Sequence, residues 1–282
     1  MLGISCSDQN FPLLDHEQVC DLARLLSFDA IDLQLCGERS RIKPADVRAA
    51  PQAWARRVGE SLSKHDMLVA DIFFIASADY TTMAVNHPSE GERRRGAELF
   101  GAALGFAAAV GSPGMTVMPG MEFEGVSHEA SLERAAQELR LRCRQAGDIG
   151  LQISVEPHIR SVIQSPADIG RLLDMVPDLQ VTLDHSHILR QGLPQFATDG
   201  FAPRVRHYHA RCTAPNRLQV PMRENELDFE TAVEHLSAIG YVGYFAVEYT
   251  LLQREDIAEL DVLSETILLR DRLRAAIATV ST

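Results

Sequence analysis

Lysine is almost missing from this chain. Only Lys43 and Lys64 occur, and arginine supplies the other cations. Lys43 sits in a polar loop beside Pro44, and Lys64 lies on a predicted outer helix. Neither ends a strand-like run, which argues against chemistry through a lysine Schiff base. Cysteine is sparse as well. Cys6, Cys20, Cys36, Cys143 and Cys212 are scattered, odd in number and free of any Cys-x-x-Cys. That argues against a disulfide framework and fits a reducing cytoplasm. No apolar run reaches the roughly 20 residues needed to cross a bilayer. The longest, Ala97 to Val110, is alanine-rich, interrupted by glycine and reads as a buried helix. The chain opens on the strand-like Leu2-Gly3-Ile4-Ser5-Cys6, with no basic, apolar leader pattern. No membrane partner is expected.

Phosphate cradles are missing too. Neither Gly-x-x-x-x-Gly-Lys nor Gly-x-Gly-x-x-Gly occurs, and Ala210 to Glu226 contains no glycine. An unphosphorylated small ligand is favoured, although Arg211 and Arg217 could hold an acidic group. The formal net charge is −12, so a nucleic acid would need a strong local basic surface. The one basic run, Arg93-Arg94-Arg95, starts an apparent helix and reads as a solvated face. No nucleic-acid partner is expected.

What the chain does have is alternation. Strand-like runs lie near Leu2–Cys6, Ala30–Leu35, Met67–Phe73, Met115–Met118, Leu151–Glu156, Val181–Asp184, Val205–His209 and Tyr244–Glu248. Helix signals fall between them. Asp15 precedes Val19, Leu22 and Leu26 at helical spacing, and Ser165-Pro166-Ala167-Asp168 is a capping box with proline at the first helical position. Leu132, Ala136, Leu139 and Cys143 form another apolar stripe, stopped at Gly147, and Asp228 opens a helix ended by Gly240. Ile257, Leu260 and Ile267 suggest a long last helix. Eight strands alternating with helices predict an α/β fold, a single (β/α)₈ TIM barrel over residues 1–282. Such barrels commonly run to about 250 residues as one domain.

The last four strand-like runs each finish on a residue able to bind a divalent metal: Glu156, Asp184, His209 and Glu248. In such a barrel, chemistry is kept at the C-terminal ends of the strands. Residues two apart in a strand share a face, so His207, His209 and Arg211 point together, as do Ser154, Glu156 and His158. Three converging carboxylates repel one another, by about 4 kcal/mol per pair at 4 Å and an effective dielectric near 20. A dication removes that repulsion. Three oxygens and one nitrogen suit Mn²⁺, Mg²⁺ or Co²⁺, with Zn²⁺ a further option. His187 would hang over the mouth from the loop after Asp184. His207 either partners a ligand or fills the barrel, and His185 is equally ambiguous. His65, His87 and His128 lie in helical or loop contexts and are not counted as ligands.

These residues resemble the xylose isomerase-like TIM-barrel superfamily: sugar isomerases, ketose 3-epimerases, keto-cyclitol dehydratases and endonuclease IV. Its phrases here are Val155-Glu156-Pro157-His158, Leu183-Asp184-His185-Ser186-His187, Leu227-Asp228-Phe229 and Gly240-Tyr241-Val242-Gly243-Tyr244. The resemblance, strongest to the sugar phosphate isomerase/epimerase and ketose 3-epimerase-like members, implies metal ligation by Glu156, Asp184, His209 and Glu248. It implies substrate contacts by His187 and Arg211. Such barrels often pair by their outer helices, so a homo-oligomer is one option. Two departures narrow the choice. Endonuclease IV has His-Pro-Gly where this chain has Met118-Pro119-Gly120, and an aspartate where His207 stands. Xylose isomerase has Glu-Pro-Lys where this chain has Glu156-Pro157-His158, which weakens a hydride-shift assignment.

The expected activity is isomerisation or epimerisation of a small keto sugar through an enediolate. Glu156 and Glu248 serve as acid and base, and Arg211 and His187 hold substrate oxygens. His158 orients a hydroxyl or relays a proton. The main rival is a lyase dehydrating a keto-cyclitol or dehydroshikimate-like acid. A further rival is a sugar-binding barrel without catalysis.

Overall fold

A computed structural model describes residues 2–251 and 256–280. Eight parallel strands close on themselves in chain order. They are β1 (Leu2–Ser7), β2 (Ala30–Cys36), β3 (Leu68–Ile75), β4 (Gly114–Val117), β5 (Gln152–Val155), β6 (Gln180–Asp184), β7 (Val205–Ala210) and β8 (Gly243–Val247). The helices are α1 (His16–Leu25), α2 (Pro44–Ala49), α3 (Pro51–Lys64), α4 (Glu90–Ala109), α5 (His128–Gly147), α6 (Pro166–Met175), α7 (His185–Leu189), α8 (Phe229–Ala238) and α9 (Val262–Val280). The last strand pairs with the first, Leu2 opposite Gly243 through Cys6 opposite Val247. The expected (β/α)₈ barrel is present.

Local chemistry starts the helices where the sequence placed them. Asp15 accepts from the Gln18 amide at 2.9 Å and Gln18 returns a bond to the Asp15 amide at 2.9 Å, a reciprocal cap on α1. Ser165 accepts from the Asp168 amide at 3.1 Å and donates its own hydroxyl to the Asp168 carboxylate at 2.6 Å. Asp228 caps α8, accepting from the Thr231 amide at 3.0 Å. The arginine run lies within α4, which already begins at Glu90. Arg93 pairs with Glu138 and Arg95 with Glu92. The last helix is a correction. Ile257 and Leu260 precede α9, and only Ile267 lies in it. The segment around Ile257 is instead tied to Gln219, whose amide donates to the Asp256 carbonyl at 3.2 Å while its carbonyl accepts from Ala258 at 3.1 Å.

Strand alternation divides apolar from polar. Ile31, Leu33, Ile72, Val117, Ile153, Val181, Tyr208 and Phe245 belong to the buried apolar core that the helices cover. The alternate residues meet one another inside the barrel. Thr116 contacts Thr182 at 2.6 Å and Ser154 at 3.3 Å, and it donates to Asp71. Arg206 inserts among them, donating to Asp71 at 2.7 Å and to Ser154 at 2.7 Å. The interior is therefore a satisfied polar network rather than the usual layers of branched aliphatics.

Candidate active site

Register sets the site. Asp184 at the end of β6 lies opposite His209 on β7, and His209 lies opposite Ala246 on β8. Glu156 follows β5 directly, its amide reaching the Val117 carbonyl at 3.4 Å, and Glu248 follows β8, its amide reaching Ala210 at 3.0 Å. All four residues are buried, none more than 2% exposed. His209 Nδ1 lies 2.6 Å from Glu156 Oε1 and 3.3 Å from Glu248 Oε2. The ligand-type atoms of Glu156, His209 and Glu248 lie within 4.8 Å of one another, and so do those of Glu156, Asp184 and His187. The four residues singled out from the sequence thus converge, with Glu156 common to both groups.

Asp184 shows how the chain aims a carboxylate. Its Oδ1 accepts from the Ser186 amide at 2.8 Å, capping the short helix α7. Its Oδ2 is buried without a hydrogen-bond partner, although the Arg211 guanidinium lies 3.5 Å away and His187 Nε2 3.7 Å away. His187 Nδ1 is similarly unpartnered. His187 sits in α7 rather than in a loop, and it is buried. An orphaned buried carboxylate oxygen beside two further carboxylates and an imidazole is a donor set that fits a divalent cation.

The electrostatics point the same way. Burial, helped by the nearby charges of Glu248 and Asp184, raises Glu156 to about 7 against the pull of His209. Asp184 is raised chiefly by burial, with Arg211 opposing. Burial disfavours charge on His209, but Glu248 and Glu156 outweigh it and carry its pKa up to about 10. His187 is pushed well below the ordinary imidazole range chiefly by burial, with His158 and Arg211 acting in the same direction. Arg211 donates to Glu248. The remaining candidate, His158, has Nδ1 at 2.6 Å from the Ile159 carbonyl. A carbonyl only accepts, so that nitrogen carries the proton. Its ring lies 4.4 Å from the His187 ring, centre to centre.

Two nearby residues were not found from the sequence. Gln9, in the short 3-10 turn Asp8–Asn10 after β1, donates to Glu248 Oε1; nothing in its local pattern sets it apart. Asp32 on β2 binds His207 Nε2 at 2.6 Å. Its signal was a lone acid in the middle of an apolar strand. His207 is therefore a hydrogen-bonded partner. His185 bonds the Tyr208 hydroxyl at 2.8 Å and Thr198 at 3.0 Å, away from the carboxylates. His65 meets Asp21, His87 accepts from the Ser89 amide, and His128 bridges Glu122 and Asp168. Gln34, Phe73 and Tyr80 line the same chamber. Arg217 pairs with Glu224 and does not line it.

A closed parallel barrel with carboxylates and imidazoles gathered at the C-terminal mouth defines the class of protein. A family model described as xylose isomerase-like TIM barrel matches residues 20–265, and the chain belongs to that family, an enzyme superfamily. Among curated proteins it is 27% identical over 150 residues to inosose dehydratase 1 of Bacillus cereus strain ZK / E33L, covering 51% of this chain and 50% of the relative. The matched segment thus spans about half the length of such relatives. Among solved structures it is similar to a D-psicose 3-epimerase with D-tagatose from Clostridium cellulolyticum H10, with TM-score 0.79, 14% identity and coverage of 98% and 99% of the two chains. It is also similar to a xylose isomerase-like TIM barrel protein from Mycobacterium smegmatis in complex with magnesium, with TM-score 0.75, 14% identity and coverage of 99% and 98%. At such identities the structural likeness establishes the fold. Among the described residues, no helix is long and apolar enough to cross a membrane.

Proposed function

We propose that this chain is a divalent-metal-dependent isomerase or epimerase of a small, unphosphorylated keto sugar, working in the cytoplasm. The observation that carries this reading is the meeting of Glu156, Asp184, His209 and Glu248 around an orphaned buried carboxylate oxygen. Those four residues would hold the cation, with Mn²⁺, Mg²⁺ or Co²⁺ favoured and Zn²⁺ a further option. When bound, such a cation supplies Lewis-acid polarisation of a carbonyl and its neighbouring hydroxyl.

The chain's own groups do the proton work. Glu156 and Glu248 reach the site from β5 and β8, with two strands between them around the barrel. One carboxylate takes the proton beside the carbonyl, and the other delivers a proton to the same carbon or its neighbour. Arg211, a buried cation, and His187, held neutral by burial, donate to the oxygen on which negative charge develops. His158 orients a hydroxyl or relays a proton.

A second reading is favoured by the curated relatives, which are inosose dehydratases. In it the same proton abstraction is followed by loss of a β-hydroxyl from a keto-cyclitol or dehydroshikimate-like acid, with His158 in the acid's place. Incubation of the metal-loaded protein with keto sugars and keto-cyclitols in D₂O tests both. Deuterium incorporation with a saturated product supports epimerisation or isomerisation, and an unsaturated product supports the lyase. E156Q and E248Q are expected to lose exchange while keeping the wild-type circular dichroism. Full exchange by both variants would refute the roles given to these carboxylates.

A further inference from the structure

Directly below His209 the barrel holds a second titratable cluster that the proposed reaction does not use. Asp32 and His207 are each 1% exposed. Asp32 Oδ1 accepts from Ser5 Oγ at 2.6 Å, and Oδ2 lies 2.6 Å from His207 Nε2. The same Oδ2 lies 3.8 Å from His209 Nε2. The other nitrogen of His209, Nδ1, faces Glu156 at 2.6 Å and Glu248 at 3.3 Å. The His207 ring stands edge-on to the His209 ring, with centres 5.3 Å apart. Each nitrogen of His209 therefore has its own carboxylate environment.

An imidazole that gives one lone pair to a cation keeps its proton on the other nitrogen, and a carboxylate on that side fixes which is which. We propose that Asp32 is a positioning residue that holds His209 in the Nε2–H form, leaving Nδ1 open toward the cation, while Ser5 and His207 lock the Asp32 carboxylate. At 3.8 Å the action on His209 is electrostatic rather than a formed hydrogen bond. The inference rests on the metal site proposed above. Asp32, His207 and His209 also lie close enough together to hold an ion. A second ion there would strip both protons from His209, so one cation per chain is expected.

The purified protein, freed of metal, is titrated with Co²⁺ and followed by calorimetry and visible absorption. The wild type is expected to bind one equivalent. Asp32→Asn keeps the size but presents an amide that can donate to Nε2, favouring the wrong tautomer. It is expected to bind about 10–100-fold more weakly, with an altered cobalt spectrum. Rescue by Asp32→Glu, in affinity and spectrum together, is expected if the charge is what matters. A wild type that binds no cation overturns the metal site and this inference together. A wild type that binds, beside a folded Asp32→Asn with the same affinity and spectrum, overturns Asp32's role alone.

A measurement on the unaltered chain covers failure of the variants to fold. In ¹⁵N-histidine-labelled wild-type protein, the imidazole whose nitrogen shifts on Zn²⁺ loading is expected to show a zinc-shifted Nδ1 and a protonated Nε2. The reverse assignment refutes the proposal.

Discussion

Asp184→Asn should separate stability from metal binding, because the carboxylate it removes is strained without a cation. The relevant oxygens of Asp184 and Glu156 lie within 4.8 Å, which at an effective dielectric near 20 is a repulsion of at least about 3.5 kcal/mol. Arg211 at 3.5 Å returns about 4.7 kcal/mol of attraction on the same scale. These terms nearly cancel once Glu248, which shares Arg211, adds its own repulsion. Burial then decides the sign, and it is the chief cause of the raised pKa of Asp184. The neutral asparagine should therefore make the metal-free protein more stable, by about 1–2 kcal/mol, or a few degrees in Tm. The wild type should gain about 2.7 kcal/mol when Mn²⁺ is present at a hundred times its Kd, and the variant should gain almost nothing. Differential scanning calorimetry with and without Mn²⁺ measures both effects. A variant that keeps the full metal-induced rise would show that Asp184 is no ligand. A metal-free variant that melts below the wild type would show that the charge reasoning is wrong.

Three further outcomes are expected. Gln9→Ala removes a hydrogen-bond donor to Glu248, so deuterium exchange into substrate should slow about 10-fold, as expected for the loss of one hydrogen bond, with Tm unchanged. Asp71→Asn leaves the Arg206 guanidinium, now 2.7 Å from Asp71, buried without its counter-ion. About 3–5 kcal/mol of stability should be lost in urea titrations while the metal stoichiometry stays the same. Burial lowers His16 from 6.5 to about 4, so the folded chain refuses a proton that the unfolded chain accepts. Its stabilising contribution is complete above pH 6.5 and is lost as the pH falls toward 4. The loss is about 3 kcal/mol by linkage, and urea midpoints of His16→Gln should show a correspondingly flatter pH dependence.

The strands were legible because each is a short, mostly apolar run, the last four read as ending on a polar residue, and the observed bounds fall within about two residues of those read from the sequence. Glu156 was read as the end of β5, whereas the strand stops at Val155. The segment before α9 was misread for a physical reason. Ile257, Leu260 and Ile267 have helix-like spacing, but the backbone around Ile257 is claimed by Gln219, a residue distant in the chain. The four metal-type side chains were legible because strand order and strand ends fix where they point. The partners behind them were less so. Asp32 needs Ser5 and His207 across the barrel to explain it, and Gln9 needs Glu248, its contact far along the chain. Long-range pairings of that kind leave no local pattern. The roles of His185 and His207 stayed open for the same reason: whether a strand-end histidine meets a carboxylate or a hydroxyl depends on the neighbouring strand.

The pairing of β8 with β1 has a consequence for biosynthesis. Glu248 emerges late from the ribosome, and it reaches its place only when the newest strand zips onto the oldest. A nascent chain thus exposes Glu156, Asp184 and His209 before their fourth companion exists. On the metal-site reading proposed above, full-strength capture of an ion would report that the cylinder has closed.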